Sequence, residues 1–229
     1  MELVCFDIDG TLIWTNGAGR RAIHRALLEE RGTAGPIETF RFDGRTDGEI
    51  ISKLAEGAGL TVDRPLVDRV LERYVANLRD ELGRPGHHTT VYPGVRELLD
   101  ALEARGDCVV GLLTGNVVSG ARLKLGSAGL EFARFRIGAF GSDSIERTEL
   151  PAIAQRRARE ALGLDVPGGD VVVIGDTPAD VRCGLGIGAR AIGVATAAYS
   201  VAELLAVGAA AAFADLSDTE AVLEAILGR

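Results

Sequence analysis

The sequence is poor in what a disulfide-stapled, nucleic-acid-binding or membrane-spanning protein would need. Cysteine occurs three times in 229 residues, at Cys5, Cys108 and Cys183. An odd number at long spacing excludes a disulfide framework and the paired spacings of zinc sites, which leaves buried reduced thiols. Aromatic residues are 5% of the chain while glycine and alanine abound, a composition suited to helices packed closely on a sheet. Positive charge is in the minority: 25 Lys and Arg against 33 Asp and Glu give a net charge of −8. With no concentrated basic patch, the chain repels nucleic acid and anionic membrane. There is no long hydrophobic run either. The most apolar late stretch, 189–213, is broken by Arg190, Glu203 and several glycines and reads as strand, helix and strand. The N-terminus enters a strand pattern directly, without the regions of a signal peptide. The expectation is a cytoplasmic protein, monomer or homodimer, with no membrane or nucleic-acid partner.

What is present is a series of short, continuous apolar runs: Leu3–Phe6, Cys108–Leu113, Val171–Ile174 and Ala191–Ala195. Continuity rather than alternation predicts strands buried on both faces of a parallel sheet. Helical spacing between them, over Val95–Arg105 and Leu150–Leu162, makes the fold class α/β with a Rossmann-like parallel sheet. One region breaks the alternation. From Trp14 to Thr90 no convincing strand core is seen, and three helical stretches are expected at Ala18–Arg31, Asp47–Ala58 and Pro65–Leu82. The expected organisation is therefore a catalytic core of residues 1–14 and 91–229, interrupted by an all-helical insertion over 15–90. At 229 residues a core domain with a modest insertion is also the natural size reading.

Ligands of parallel α/β sheets bind at the carboxyl ends of the strands, and three of the runs end there in polar residues. The first ends in Asp7-Ile8-Asp9-Gly10-Thr11, the second in Thr114-Gly115-Asn116, the third in Gly175-Asp176-Thr177-Pro178-Ala179-Asp180. Asp7 and Asp9 would share one side of a regular strand. Like charges at about 4 Å cost roughly 4 kcal/mol at an effective dielectric near 20, so such a pair calls for a cation or a shared proton. With Asp176 at another strand end, three acids converging on one crevice would form an oxygen-rich site suited to a hard divalent ion such as magnesium. Thr114 either caps the next helix or offers its hydroxyl to an anion. Thr177 and Pro178 read as N-cap and first helical residue, with Asp180 as a capping-box acid, a supporting residue of the site, or both.

These three segments resemble the first, second and fourth motifs of the haloacid dehalogenase-like hydrolase superfamily, in order and spacing. The resemblance spans almost the whole chain, and the helical insertion is similar to the cap of phosphoglycolate phosphatase-like and β-phosphoglucomutase-like members. It implies that Asp7 is a nucleophile forming an aspartyl-phosphate and Asp9 the acid and base for the leaving oxygen and the hydrolytic water. It also implies magnesium held by the Asp7 carboxylate, the Asp9 main-chain carbonyl and the Asp176 carboxylate, with Thr114, Gly115 and Asn116 on the phosphoryl oxygens. The family's third motif carries a lysine before a proline. Lys53 and Lys124, the only lysines, do not sit where the family places that charge, so Arg147 in "SIERTELPAIA" is the candidate, with Arg136 as the alternative. In the insertion, Arg45 and Thr46 of "FDGRTDGE" are candidate substrate contacts, with a solvated loop arginine the other reading of Arg45, and Asp47 is a helix cap; Trp14, just after the first motif, is either packing at the junction of core and insertion or a stack for the substrate. The three histidines carry no ligand spacing.

The implied activity is magnesium-dependent hydrolysis of a small phosphorylated metabolite, such as phosphoglycolate or a sugar phosphate. A β-phosphoglucomutase-like phosphotransferase and a noncatalytic phosphometabolite-binding module are the alternatives. Dehalogenases lack the acid at the position of Asp9, and phosphonoacetaldehyde hydrolases need a cap-loop lysine where this chain has Asp47.

Overall fold

The computed structural model describes residues 1–228. Six parallel strands form the central sheet: β1 (Glu2–Phe6), β4 (Cys108–Thr114), β5 (Ile137–Phe140), β6 (Val171–Gly175), β7 (Arg190–Val194) and β8 (Ala211–Phe213), in the order β5-β4-β1-β6-β7-β8. The continuous apolar runs are explained by burial on both sides. Along β1, Val4 and Phe6 join a cluster with Leu98, Leu99, Leu125, Val222 and Ile226. Leu3 and Cys5 face the other way, into a cluster with Ile153, Ala154 and Ala158. Alternate residues thus feed opposite layers, as the two-residue strand period requires. The helices covering the sheet include α4 (Val95–Glu103), α5 (Val118–Ser127) and α9 (Thr219–Leu227) on the first face and α6 (Leu150–Leu162) on the second. Two shorter helices, α7 (Pro178–Cys183) and α8 (Val201–Ala206), follow β6 and β7.

The chain leaves β1 into α1 (Ala18–Arg31), α2 (Asp47–Gly57) and α3 (Arg64–Leu82), which share a separate apolar cluster that includes Ile23, Leu27, Ile51, Leu54, Val70 and Leu78. Local chemistry sets their ends. Thr46 accepts from the Glu49 N–H to cap α2, Asp63 accepts from the Leu66 N–H to cap α3, and Gly32 ends α1 in the left-handed conformation. The stretch expected to lack strands does contain a piece of one at each end. β2 (Ile13–Trp14) and β3 (Thr90–Val91) pair antiparallel, closing the base of the insertion with a two-residue ribbon. Each is too short to leave a periodic signal and exists only through its partner. Among the described residues no helix is long and apolar enough to cross a membrane.

The order of strands puts β1 between β4 and β6. The chain runs outward from β4 to β5, then crosses back to β6 on the other side of β1. That reversal opens a crevice at the carboxyl ends of these central strands.

Candidate active site

The strand β1 does not continue through both acids. Asp7 still donates its N–H to Ile174 O at 2.9 Å, but the chain then turns, with Ile8 O accepting from Leu12 and Ile13, both at 3.0 Å. Asp7 and Asp9 are therefore not neighbours on a regular strand face. The turn passes through Gly10 at φ +83°, where a Cβ would lie 2.4 Å from Asp176 Oδ2. Only glycine meets both demands, the left-handed backbone and the close approach of a carboxylate. Thr11 Oγ1 donates to Asp176 Oδ1 at 3.1 Å and fixes that side chain against the turn.

Asp7, Asp176 and Asp180 each bring a carboxylate oxygen within 4.8 Å of the others, and all three are buried. Asp180 is committed on both sides. Its Oδ2 accepts from the Thr177 N–H at 2.9 Å and hydroxyl at 2.7 Å, completing the capping box of α7, while Oδ1 accepts from Arg147. Capping and support of the site are thus combined in one residue. Among the described residues Asp7 Oδ1 has no hydrogen-bond partner; it is buried 3.4 Å from Arg147 Nη2. Burial pushes the Asp7 carboxyl from 3.8 up to about 6, with Arg147 opposing and Asp180 adding to the rise. Burial likewise pushes Asp176 well above the usual carboxylate range. Hard oxygen donors, one of them orphaned, in a place unfavourable to their own charge, fit a divalent cation held by Asp7 and Asp176.

Arg147 sits in a short 3-10 turn ahead of α6. Burial works against its charge, but Asp180 and Asp7 outweigh that and keep it firmly protonated. Arg136 lies elsewhere, lining a hollow with Met1, Arg105 and Cys108 at the amino end of β4. Thr114 ends β4 and does not cap α5, whose N-cap is Val117. Its hydroxyl instead accepts from Asn116 Nδ2 at 2.9 Å.

Sequence reasoning set Lys124 aside, and the structure brings it in. Its side chain is 6% exposed, and its Nζ donates to Asp9 Oδ2 and to Asn116 Oδ1, both at 2.6 Å. Burial opposes the charge, while Asp9 and Asp47 outweigh it and raise the pKa. A signal was available. Val117, Ala121 and Lys124 recur at i, i+4 and i+7, which puts the lysine on the buried stripe of α5.

The helical unit supplies the other wall. Asp47 O–C–O and backbone both engage the core: its N–H donates to Gly115 O at 2.8 Å and its Oδ2 accepts from the Val117 N–H at 2.8 Å. Thr46, not Asp47, is the cap of α2. Thr46 is fully buried, with its hydroxyl donating to Ile145 O at 2.9 Å, so it is absent from the cavity wall and the expected substrate contact is corrected to a docking contact. Arg45 does line the cavity, but its guanidinium pairs with Glu49 and lies 5.3 Å over the Phe40 ring. Tyr74, unremarked in the sequence because it follows Val67 and Val70 on an apolar stripe, is buried at the cavity wall with its hydroxyl facing Asp47 and, among the described residues, without a hydrogen bond of good geometry. Trp14 is 48% exposed at that wall rather than packed at the junction. The cavity volume is about 230 Å³.

Comparison with known proteins agrees with this geometry. A family model for haloacid dehalogenase-like hydrolases matches residues 1–188. A phosphoglycolate phosphatase of Rhodospirillum rubrum is 26% identical over 223 residues, covering 94% of this chain and 88% of that protein. Among solved structures, a hydrolase from Pseudomonas syringae superposes with a TM-score of 0.74 at 20% identity, covering 98% of both chains. CbbY from Rhodobacter sphaeroides in complex with phosphate superposes at 0.69, with 21% identity over 95% of this chain and 96% of that one. β-Phosphoglucomutase-like proteins are also among the neighbours, and at these identities the structural likenesses speak for the fold. Since the family model spans most of the chain and its strand-end residues meet in one cavity, the chain belongs to the haloacid dehalogenase-like hydrolases and is an enzyme of that kind.

Proposed function

We propose that this hydrolase is a magnesium-dependent phosphatase acting on a small phosphate monoester, phosphoglycolate-like or sugar-phosphate-like, through an aspartyl-phosphate. The observation that carries the reading is the convergence of Asp7, Thr114, Asp176 and Arg147, from four separate segments, on one cavity of about 230 Å³. The name of the phosphoglycolate phosphatase relative supports it. Magnesium would be held by Asp7 and Asp176, with the Asp9 carbonyl, and would supply positive charge that offsets repulsion between the phosphate and an anionic nucleophile.

The chain's own groups divide the remaining work. Arg147, anchored on Asp180, orients the Asp7 carboxylate toward phosphorus. Asp7 attacks, a bond from its oxygen to phosphorus forms, and the bond to the leaving oxygen breaks. Asp9 gives that oxygen its proton, then takes one from the water that hydrolyses the aspartyl-phosphate, so Asp7 is restored and inorganic phosphate departs. The Thr114 hydroxyl, the Gly115 N–H and Asn116 hold phosphoryl oxygens. Residues 15–90 serve as a cap over a core of 1–14 and 91–229, and Arg45 meets the distal part of the substrate. Free cysteines, two of them buried at Cys5 and Cys183, fit a reducing compartment such as the cytoplasm.

The test is phosphate release from a panel of small monoesters, with magnesium or with chelator, comparing the parent with Asp7→Asn. Turnover that needs magnesium and falls by at least ~10³-fold in the variant is expected. No release by the folded parent from any monoester would overturn the phosphatase reading.

A further inference from the structure

Asp9 is the most exposed member of the acidic group. It stands beyond the end of β1, and its side chain is 36% exposed. An acid that must deliver and retrieve one proton needs a fixed orientation, and the turn gives it none. The orientation comes from α5. Lys124 Nζ and Asn116 Nδ2 both donate to the same oxygen, Asp9 Oδ2, at 2.6 and 2.8 Å, and the two donors are locked together by Lys124 Nζ to Asn116 Oδ1 at 2.6 Å. Asn116 Nδ2 also reaches Thr114 Oγ1 at 2.9 Å, which ties this triangle to the phosphoryl end of the cavity.

We infer that Lys124 is the positioning residue for Asp9: with Asn116 it ties down Oδ2 and leaves Oδ1 as the oxygen that exchanges the proton with the leaving group. The inference rests on the acid and base role proposed for Asp9, and it gives this chain two cations with separate tasks. Arg147 serves the nucleophile and lies among Asp7 and Asp180, whereas Lys124 serves the acid. Burying an ammonium costs several kcal/mol unless it is well paired, so a lysine with its side chain 6% exposed needs its carboxylates. The compact ammonium also suits the space, because α1 passes directly over it: a Cβ on Gly19 would sit 3.4 Å from Lys124 Nζ. A helix of the insertion therefore covers the clamp.

The competing role is structural, with Lys124 merely neutralising Asp47 and Asp9 beneath the helices. The two roles differ in their dependence on the leaving group. An alkoxide must be protonated as it leaves, while p-nitrophenolate departs readily without a proton. The experiment measures kcat/KM, which reports on phosphoryl transfer to Asp7, for glycerol phosphate and for p-nitrophenyl phosphate with parent, Lys124→Met and Lys124→Gln. In Lys124→Met the alkyl ester is expected to lose about 100-fold or more and the aryl ester under about 10-fold, so their ratio shifts at least about 10-fold. Lys124→Gln, which keeps an N–H donor, falls between. The ratio does not depend on how much of a preparation is folded, and Lys124→Gln carries the test if Lys124→Met is insoluble. An unchanged ratio in an active parent and variant overturns the positioning role while leaving the phosphatase reading intact. A parent that releases phosphate from neither ester overturns that reading and the inference with it.

Discussion

Asp47 is a carboxylate held where its charge is unfavourable. Burial pushes it from 3.8 to about 6, against the pull of Lys124 and of the Val117 N–H on its oxygen. Between those values the native protein binds more protons than the unfolded chain, so stability falls as pH rises through that window and stays reduced above it. About two units correspond to a penalty on the order of 3 kcal/mol. Asp47→Asn keeps an oxygen for the Val117 N–H and removes the charge. In chelator, the variant is expected to be more stable than the parent by up to that order at pH 8, with the advantage mostly gone at pH 4, as read from urea unfolding at both pH values. A gain independent of pH would mean that desolvation of Asp47 is not its source. The same residue explains what could be read beforehand. Asp7, Asp176 and Thr114 were legible because polar residues ending apolar strands must lie at the ligand-binding edge. Lys124 and Tyr74 lie on helix faces, where a buried stripe carries core and site residues at the same spacing.

Gly115 is where an element of the insertion meets an element of the core. A Cβ there would lie 2.1 Å from Arg45 O, and one on Gly44 2.5 Å from Ala179 Cβ. At Gly115 the loop before α2 thus seats backbone on backbone, which no flexible side chain can relieve. Gly115→Ala is expected to lower kcat/KM at least about 10-fold by holding that loop off its seat, with the far-ultraviolet circular dichroism of the parent retained and faster proteolysis within Asp43–Arg45. Unchanged kinetics would show that the loop need not seat for turnover. Legibility of elements followed burial. The strands β1, β4, β6 and β7 are covered on both faces and announced themselves as apolar runs. The edge strand β5, four residues with a glycine at its second position, did not, and the pair of β2 and β3 is stabilised only across the length of the insertion. Helices α1 and α3, with amphipathic stripes and clear end signals, match their expected bounds within a residue.

The whole molecule encloses its reactive groups. Across the mouth, Asp47 bonds Gly115, Thr46 bonds Ile145, and Arg41 lies 5.5 Å over the Tyr199 ring. The resulting cavity, about 230 Å³, is smaller than the roughly 300–1,000 Å³ typical of pockets for drug-sized ligands. A bound phosphoryl group would itself take up part of that volume, leaving limited space for the rest of the ester. The wall facing that space is polar: Asp47, the Tyr74 hydroxyl beside it and Arg45. On the proposed phosphatase reading, a leaving group of two to four carbons bearing polar substituents would fit under the closed helices, whereas a nucleoside monophosphate would force the loop off Gly115 and admit water to the aspartyl-phosphate. We therefore expect kcat/KM for phosphoglycolate or glycerol phosphate to exceed that for adenosine monophosphate by at least about 100-fold, about 2.7 kcal/mol of differential transition-state binding. Tyr74→Phe should narrow that gap by weakening the small substrates alone, because the hydroxyl is out of reach of a nucleotide held in an open molecule. Equal turnover of both classes would mean that the helices do not close over the substrate during the reaction.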